Sequence, residues 1–300
     1  MRVLNFGSLN FDRVYNVDHF VQAGETILSQ KYEEFLGGKG LNQSLALARA
    51  GAEVFHMGAV GPDGDSLLAC LQDNGVDVRY IRKTDVVSGH AVIQKSFGQN
   101  CIIVCGGSNQ TVSKDYIDQV LQNFGADDLI LVQNETSNVP HAIREAKKRG
   151  MKVAFNASPI TPEVLHYPLE LVDYYLINEV EGKALSGIDS DDFYEILEAL
   201  AQKFPDSAIV LTVGEHGVLY RDKYQIASQG IYKVKVADTT AAGDTFCGFF
   251  LSGILNEQTV QEALCQASKA SAIAVSKDGA AVSIPTMDQV RFFTAQREDN

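Results

Sequence analysis

Asp238-Thr239-Thr240-Ala241-Ala242-Gly243-Asp244-Thr245-Phe246-Cys247-Gly248 is the segment from which the rest of the chain can be read. The small residues Ala241, Ala242 and Gly243 allow a tight turn. Phe246, Phe249, Phe250, Leu251, Ile254 and Leu255 predict a buried helix behind it. This layout puts the backbone N–H groups of residues 242–244 at a helix N-terminus, which carries about half a positive charge. One carboxylate, Asp244, stands among those donors. Phosphoryl transfer to a hydroxyl needs that pairing, with donors to hold the charge on the transferring oxygens and a carboxylate to take the hydroxyl proton. The plainer reading of the same residues is an aspartate that caps a helix.

The bulk properties narrow the field. The chain has 300 residues, 45% of them hydrophobic, enough for one or two domains with a large core. A net charge of −13 argues against nucleic acid or an anionic membrane as the main partner. Met1-Arg2 runs straight into the apolar Val3–Gly7, so no signal peptide is expected, and no apolar run reaches the length of a membrane span. The five cysteines contain no C-x-x-C and read as reduced core thiols of a cytoplasmic protein. The histidines show no zinc spacing. Walker A, G-x-G-x-x-G and protein-kinase signatures are absent too.

Around the segment, strands alternate with helices. Strands are expected at residues 2–7, 54–60, 128–132, 151–156, 174–177 and 208–213, with a hairpin over 218–226. Helices are expected near 41–50, 63–74, 140–149 and 258–276. Gly51 fits the position just past the first of these. The fold class that follows is α/β: a mainly parallel central sheet with helices on both faces. Two further alternating stretches, about 13–35 and 88–106, the second turning through Phe97-Gly98-Gln99-Asn100, read as four strands of a small β-sheet lid.

Ligands of such sheets bind beyond the carboxyl ends of the strands, which draws attention to polar residues there. Asn10 and Asp12, two apart in extended chain, share one face with Phe11 opposite, and either grip neighbouring hydroxyls or close a turn. Glycines 37, 38 and 40 precede a helix and either admit close backbone approach to a ligand or simply form a loop. Asn134, Glu135, Asn156, Asn178 and Glu181 follow strands and are candidates on position alone, with turn formation and helix capping as alternatives.

Asp-Thr-x-x-Ala-Gly-Asp-Thr-Phe at 238–246, together with Gly37-Gly38-Lys39-Gly40-Leu41-Asn42-Gln43, resembles the ribokinase-type (PfkB-like) family of small-molecule kinases, over nearly the whole chain. The resemblance implies one kinase domain over 1–300 that moves the γ-phosphoryl of ATP to a primary hydroxyl of a small sugar, with ribose at O5 expected. It implies Asp244 as the base, an anion hole at Ala241, Ala242 and Gly243, and sugar contacts from Asn10, Asp12, Gly38, Lys39, Asn42 and Glu135. Nucleotide contacts are implied for Asn178, Thr212, Gly214, Gly217 and Ser268. Mg²⁺ is implied near Asn178 and Glu181, acting through water. A monovalent cation, K⁺, is implied at Asp238, Thr240, Ala274, Lys277, Gly279 and Ser283. A homodimer formed through the lid is a further implication. Bulky Phe11 and the pair Ala241, Ala242 depart from commoner choices, and Phe11 is expected to point away from the pocket. Rival readings are a kinase for fructose, 2-keto-3-deoxygluconate or a nucleoside, and a non-catalytic sugar sensor.

Overall fold

The computed structural model describes residues 1–295. The chain runs β1 (Arg2–Phe6), β2 (Asn10–Asn16), β3 (Lys31–Gly37), α1 (Lys39–Arg49), β4 (Val54–Val60), α2 (Asp65–Asp73), β5 (Asp77–Lys83), β6 (Gly89–Ser96) and β7 (Gln99–Cys105). It continues with α3 (Lys114–Leu121), β8 (Asp128–Gln133), α4 (Val139–Lys148), β9 (Lys152–Asn156), β10 (Tyr174–Asn178), α5 (Glu179–Ser186) and α6 (Phe193–Lys203). The last elements are β11 (Ala208–Thr212), β12 (Val218–Arg221), β13 (Ile226–Gln229), α7 (Ala242–Leu255), α8 (Val260–Val275) and α9 (Met287–Arg291).

Among the described residues, nine strands form the central sheet in the order β13-β12-β11-β10-β9-β8-β1-β4-β5. Every pair from β5 to β11 is parallel, and the β12–β13 hairpin adds an antiparallel edge. Alternate residues of one strand serve opposite faces. In β8, Leu129 and Leu131 pack into the layer built on α1, α2, α7 and α8, while Ile130 and Val132 pack into the layer of α3 to α6. That two-sided burial is why the strands read as unbroken apolar runs.

Helices α1 and α7 cross where neither carries bulk. A Cβ on Gly248 would lie 2.4 Å from the Ala46 side chain and 2.7 Å from the Leu47 amide. One turn earlier on each helix, the same crossing brings Asp244 beside Asn42. The N-terminus of α1 is pressed against the link after β1, since a Cβ on Gly40 would meet the Gly7 carbonyl carbon at 2.4 Å.

A second sheet, order β3-β2-β6-β7, stands apart, with β2 and β6 parallel at its centre. It supports the expected separation of the lid, with two corrections. The β6–β7 turn is only Phe97-Gly98, both with positive φ (47° and 78°), so β7 begins at Gln99 inside the expected loop. The first lid strand starts at Asn10 and is set against β3 by a long excursion over 17–30. Sequence reading also passed over β5 and helices α3, α5 and α6.

The expectation of core thiols is corrected as well. Cys247 is buried, but Cys101 and Cys105 are exposed on β7, because that edge strand is covered on neither face. All five thiols are unpaired. Among the described residues no helix is long and apolar enough to cross a membrane. The polar tail at 296–300, expected to fray, lies outside the described residues.

Candidate functional site

Three contiguous cavities lie beyond the carboxyl ends of the central strands and around the start of α7. The lid cavity runs under β2, β3, β6 and β7 and reaches Asn10, Asp12, Gly38, Lys39, Asn42, Glu135 and Asp244. The inner cavity joins Lys39, Asn156, Ser158, Asn178, Glu181 and residues 241–244. The outer groove carries Thr212, Gly214, Gly217, Ser268 and the apolar Ile231, Val234, Val236 and Val275. Lys39, Ala241 and Asp244 line both the lid cavity and the inner cavity and so form the wall between them.

Ala241 caps α7 in the left-handed region (φ 61°), a conformation that costs a residue with a Cβ energy and is concentrated at functional sites. The turn returns the Ala242 amide to the Thr239 carbonyl at 3.2 Å. The amides of Gly243 and Asp244 are therefore the first-turn donors left facing the inner cavity. Asp244 is 8% exposed. Its side chain does not cap the helix, because the N-cap position is Ala241 and no side-chain capping bond forms there. Instead Asn42 Nδ2 donates to one carboxylate oxygen at 3.0 Å and Gln43 Nε2 to the other at 2.8 Å.

In the lid cavity, Asn10 and Asp12 share a face as their spacing required, and Phe11 turns into the core at 4% exposure. Asn109, which sequence reading missed, fixes Asn10: its Nδ2 donates to Asn10 Oδ1 at 2.7 Å, leaving the Asn10 amide N–H groups to the cavity. Asn109 sits in a Gly-Gly-Ser-Asn turn, and nothing in that composition separates a positioning residue from a turn former. Ser8, also missed, donates to Glu135, which accepts from the Lys39 amide at 3.0 Å as well. Burial, then the charges of Glu135 and Asp244, raise the Asp12 carboxyl to about 6. Asn42 Oδ1 is buried without a partner among the described residues, an acceptor waiting for a donor.

Lys39 is the cation between these acids. Burial opposes its charge, but Asp244, Glu135 and Glu181 more than offset that and hold its pKa above the ordinary lysine value. Its place in the wall gives it reach into the inner cavity as well as toward the lid, where sequence reading had put it.

Asn178 and Glu181 form a capping box at the start of α5. Asn178 Oδ1 accepts from the Glu181 amide at 2.9 Å and Glu181 Oε2 from the Asn178 amide at 3.0 Å. The capping alternative is thus real, and both residues line the inner cavity too. Burial pushes the Glu181 carboxyl up, against the pull of the Asn178 amide and Lys39. Asn156 Oδ1, in the same cavity, is buried with no partner among the described residues. Of the other strand-end candidates, Asn134 is committed to Pro159 and Tyr167.

The loop before α7 meets the end of α8. Asp238 N donates to Val275 O at 3.3 Å, and Asp238 Oδ2 accepts from the Gly279 amide at 3.4 Å. Burial raises the Asp238 carboxyl, but bonds from the Thr240 hydroxyl and amide outweigh it and leave the group below its usual value. Thr240 and Gly279 join Asp238 at the edge of the lid cavity. Ala274 and Lys277 are bonded to each other through the backbone at 3.1 Å, and the Ser283 hydroxyl is turned to Ala280.

The model of the pfkB family carbohydrate kinases matches residues 2–287. A ribokinase of Haemophilus influenzae is 35% identical, over 96% of this chain and 96% of its own. Among solved structures, the ribokinase of Arabidopsis thaliana complexed with ribose and ATP superimposes with a TM-score of 0.86 at 28% identity, covering 98% of this chain and 99% of its own. That of Cryptococcus neoformans in complex with ADP gives 0.84 at 30%, covering 97% and 98%.

Proposed function

The chain belongs to the pfkB family of carbohydrate kinases, and on that premise we propose that it phosphorylates D-ribose at O5 with ATP, yielding D-ribose 5-phosphate. The observation that carries this reading is the shared wall: Asp244, Lys39 and Ala241 stand between a cavity rich in hydroxyl-binding groups and one rich in phosphate-binding groups. A hydroxyl on the lid side and a phosphoryl on the inner side would meet only there.

In this reading Asp244 takes the proton of the attacking hydroxyl, and the Gly243 and Asp244 amides hold the charge on the transferring oxygens. Ala241 and Ala242 shape the turn that aims them. Lys39 balances the carboxylates before transfer and the phosphoryl charge during it. Asn10, Asp12, Asn42 and Glu135 orient the sugar, with Gly38 admitting close backbone approach. Asn178, Thr212, Gly214, Gly217 and Ser268 line the path of the nucleotide, whose base suits the apolar outer groove.

Oxygen donors at Asn156, Asn178 and Glu181 suit a hard cation, and the unpartnered Asn156 Oδ1 favours one. Mg²⁺ held there through water would neutralise phosphate charge. Asp238, Thr240 and Gly279, with carbonyls near Ala274, Lys277 and Ser283, fit K⁺ beside the turn; equal turnover in K⁺ and Na⁺ would remove that assignment. The lid, over about 13–35 and 88–106, belongs with the body as one kinase domain, and a second copy of the chain would cover its open strand β7. Exposed, unpaired Cys101 and Cys105 suit a reducing, cytoplasmic compartment.

The deciding experiment is ATP consumption against a panel of pentoses, hexoses and nucleosides. Stimulation by ribose above the rest is expected. Stimulation by a nucleoside or hexose alone would replace the substrate, and no stimulation at all would leave a sugar sensor.

A further inference from the structure

Gln43 is fully buried and lines neither cavity, yet it donates to the Asp244 carboxylate. Its own carbonyl accepts from Gln133 Nε2 at 2.7 Å, and the second N–H of that amide goes to Asn5 Oδ1 at 2.9 Å. Asn5 Nδ2 donates in turn to the Ser44 hydroxyl at 2.8 Å and to the Gly40 carbonyl at 2.8 Å. Ser44 Oγ lies 2.8 Å from His56 Nδ1, and His56 Nε2 lies 3.2 Å from the Gly7 carbonyl. Asn5, Gln43, Ser44, His56 and Gln133 are all 0% exposed.

Every orientation in this chain is forced from its ends. A carboxylate only accepts, so the Gln43 nitrogen must face Asp244 and its oxygen must face Gln133. Gln133 faces two carbonyl oxygens and must present its nitrogen to both. At the far end a backbone carbonyl only accepts, so His56 carries its hydrogen on Nε2 and takes the Ser44 hydroxyl on Nδ1. Burial favours that neutral imidazole, lowering its pKa to about 4. Gly7 leaves the room required, since a Cβ there would lie 2.2 Å from Gln133 Oε1.

Five uncharged polar side chains in the core give little net stability that apolar residues of the same shape would not give. What apolar residues would not give is a single orientation for the carboxylate at the chain's end. We propose that the Gln133–Gln43 amide pair, anchored through Asn5, Ser44 and His56 to the Gly7 carbonyl, is a positioning relay that fixes the Asp244 carboxylate toward the acceptor hydroxyl. Gln43 and Gln133 are positioning residues that touch neither substrate. The inference rests on Asp244 as the base.

The test is a cycle of Gln43→Met, Gln133→Met and the double variant, with wild type and Asp244→Asn assayed alongside. Each single variant should lower kcat about 10–100-fold, the scale of a misplaced reacting group. KM for ATP and for the sugar should stay within about threefold. The double variant should be no slower than the slower single variant, because a relay already cut loses nothing more. Unchanged kcat in a folded single variant overturns the proposal, as does a double variant whose loss is the product of the two. Parallel rises in both KM values overturn it too. If Gln43→Met shows no cooperative thermal transition, Gln133→Met, one residue farther from the carboxylate, decides by the same kcat and KM criteria. Near-normal turnover in Asp244→Asn would instead remove the base assignment and leave the relay without its object, an outcome distinct from all of these.

Discussion

Asp244 and Asp12 line the same cavity, but the regions that carry them hold them by opposite means. Asp244 lies where α1 and α7 cross, and two side-chain amides donate to it, one of them locked from behind by Gln133. Asp12 projects from the lid strand β2, and its carboxylate has no hydrogen-bond partner among the described residues; it sits close to two other carboxylates instead. The crossing holds a charge already satisfied and therefore fixed in direction. The lid holds one that is unsatisfied and gains most when a ligand supplies hydroxyl donors. On the proposed reading, catalytic aim is built into the body and substrate capture is left to the small sheet.

Asp244→Asn keeps the shape and removes the proton acceptor, so kcat should fall about 10²–10⁴-fold while nucleotide affinity changes little. A kcat near wild type would end the division of roles. Lys39→Met should cost about 10²-fold in kcat if the ammonium faces the transferring phosphoryl. An effect confined to sugar KM would return Lys39 to the lid side alone.

On the lid side, Asp12→Ala removes a charged hydrogen-bond partner and should raise sugar KM about 10–100-fold. Asn42→Ala should raise it less and show its loss partly in kcat, because Asn42 also holds Asp244. Equal sugar KM changes and an untouched kcat in the Asn42 variant would erase the distinction.

A smaller effect follows from the raised Asp12 pKa. Between the ordinary value of 3.8 and about 6 the folded chain binds more protons at this carboxyl than the unfolded chain does, so its share of stability falls as pH rises through that window. Asp12→Asn should therefore stabilise the sugar-free protein by about 1 kcal/mol near pH 7.5 and by little near pH 4. Thermal unfolding at the two pH values checks it, and a pH-independent difference would refute it.

The smallest expected effect on turnover concerns the outer face of β7, where Ile103 is 67% exposed. Ile103→Lys should shift a lid-mediated dimer toward monomer in sedimentation, with kcat changed less than by any variant above. An unchanged mass distribution would remove the proposed partner face.

Within one chain, then, legibility differed by region. The parallel strands and the helix carrying Asp244 were plain from apolar runs, because burial on both faces selects apolar side chains at most strand positions. Cys101 and Cys105 were misjudged for the converse reason: an alternating, apolar run looks the same whether another layer covers it or not. Asn10, Asp12 and Phe11 were divided correctly by strand alternation alone.

Taken alone, the amino-acid order determined the alternating architecture, the Gly-rich turn and the acid placed at a helix start, all consequences of neighbours a few residues apart. Tertiary structure decided that Lys39, Ala241 and Asp244 share a wall between cavities, that Asn109 holds Asn10, and that Gln133 stands behind Gln43. Those partners are 90 or more residues apart in the chain. A glutamine at the end of an apolar strand carries no local mark of which distant amide it will meet.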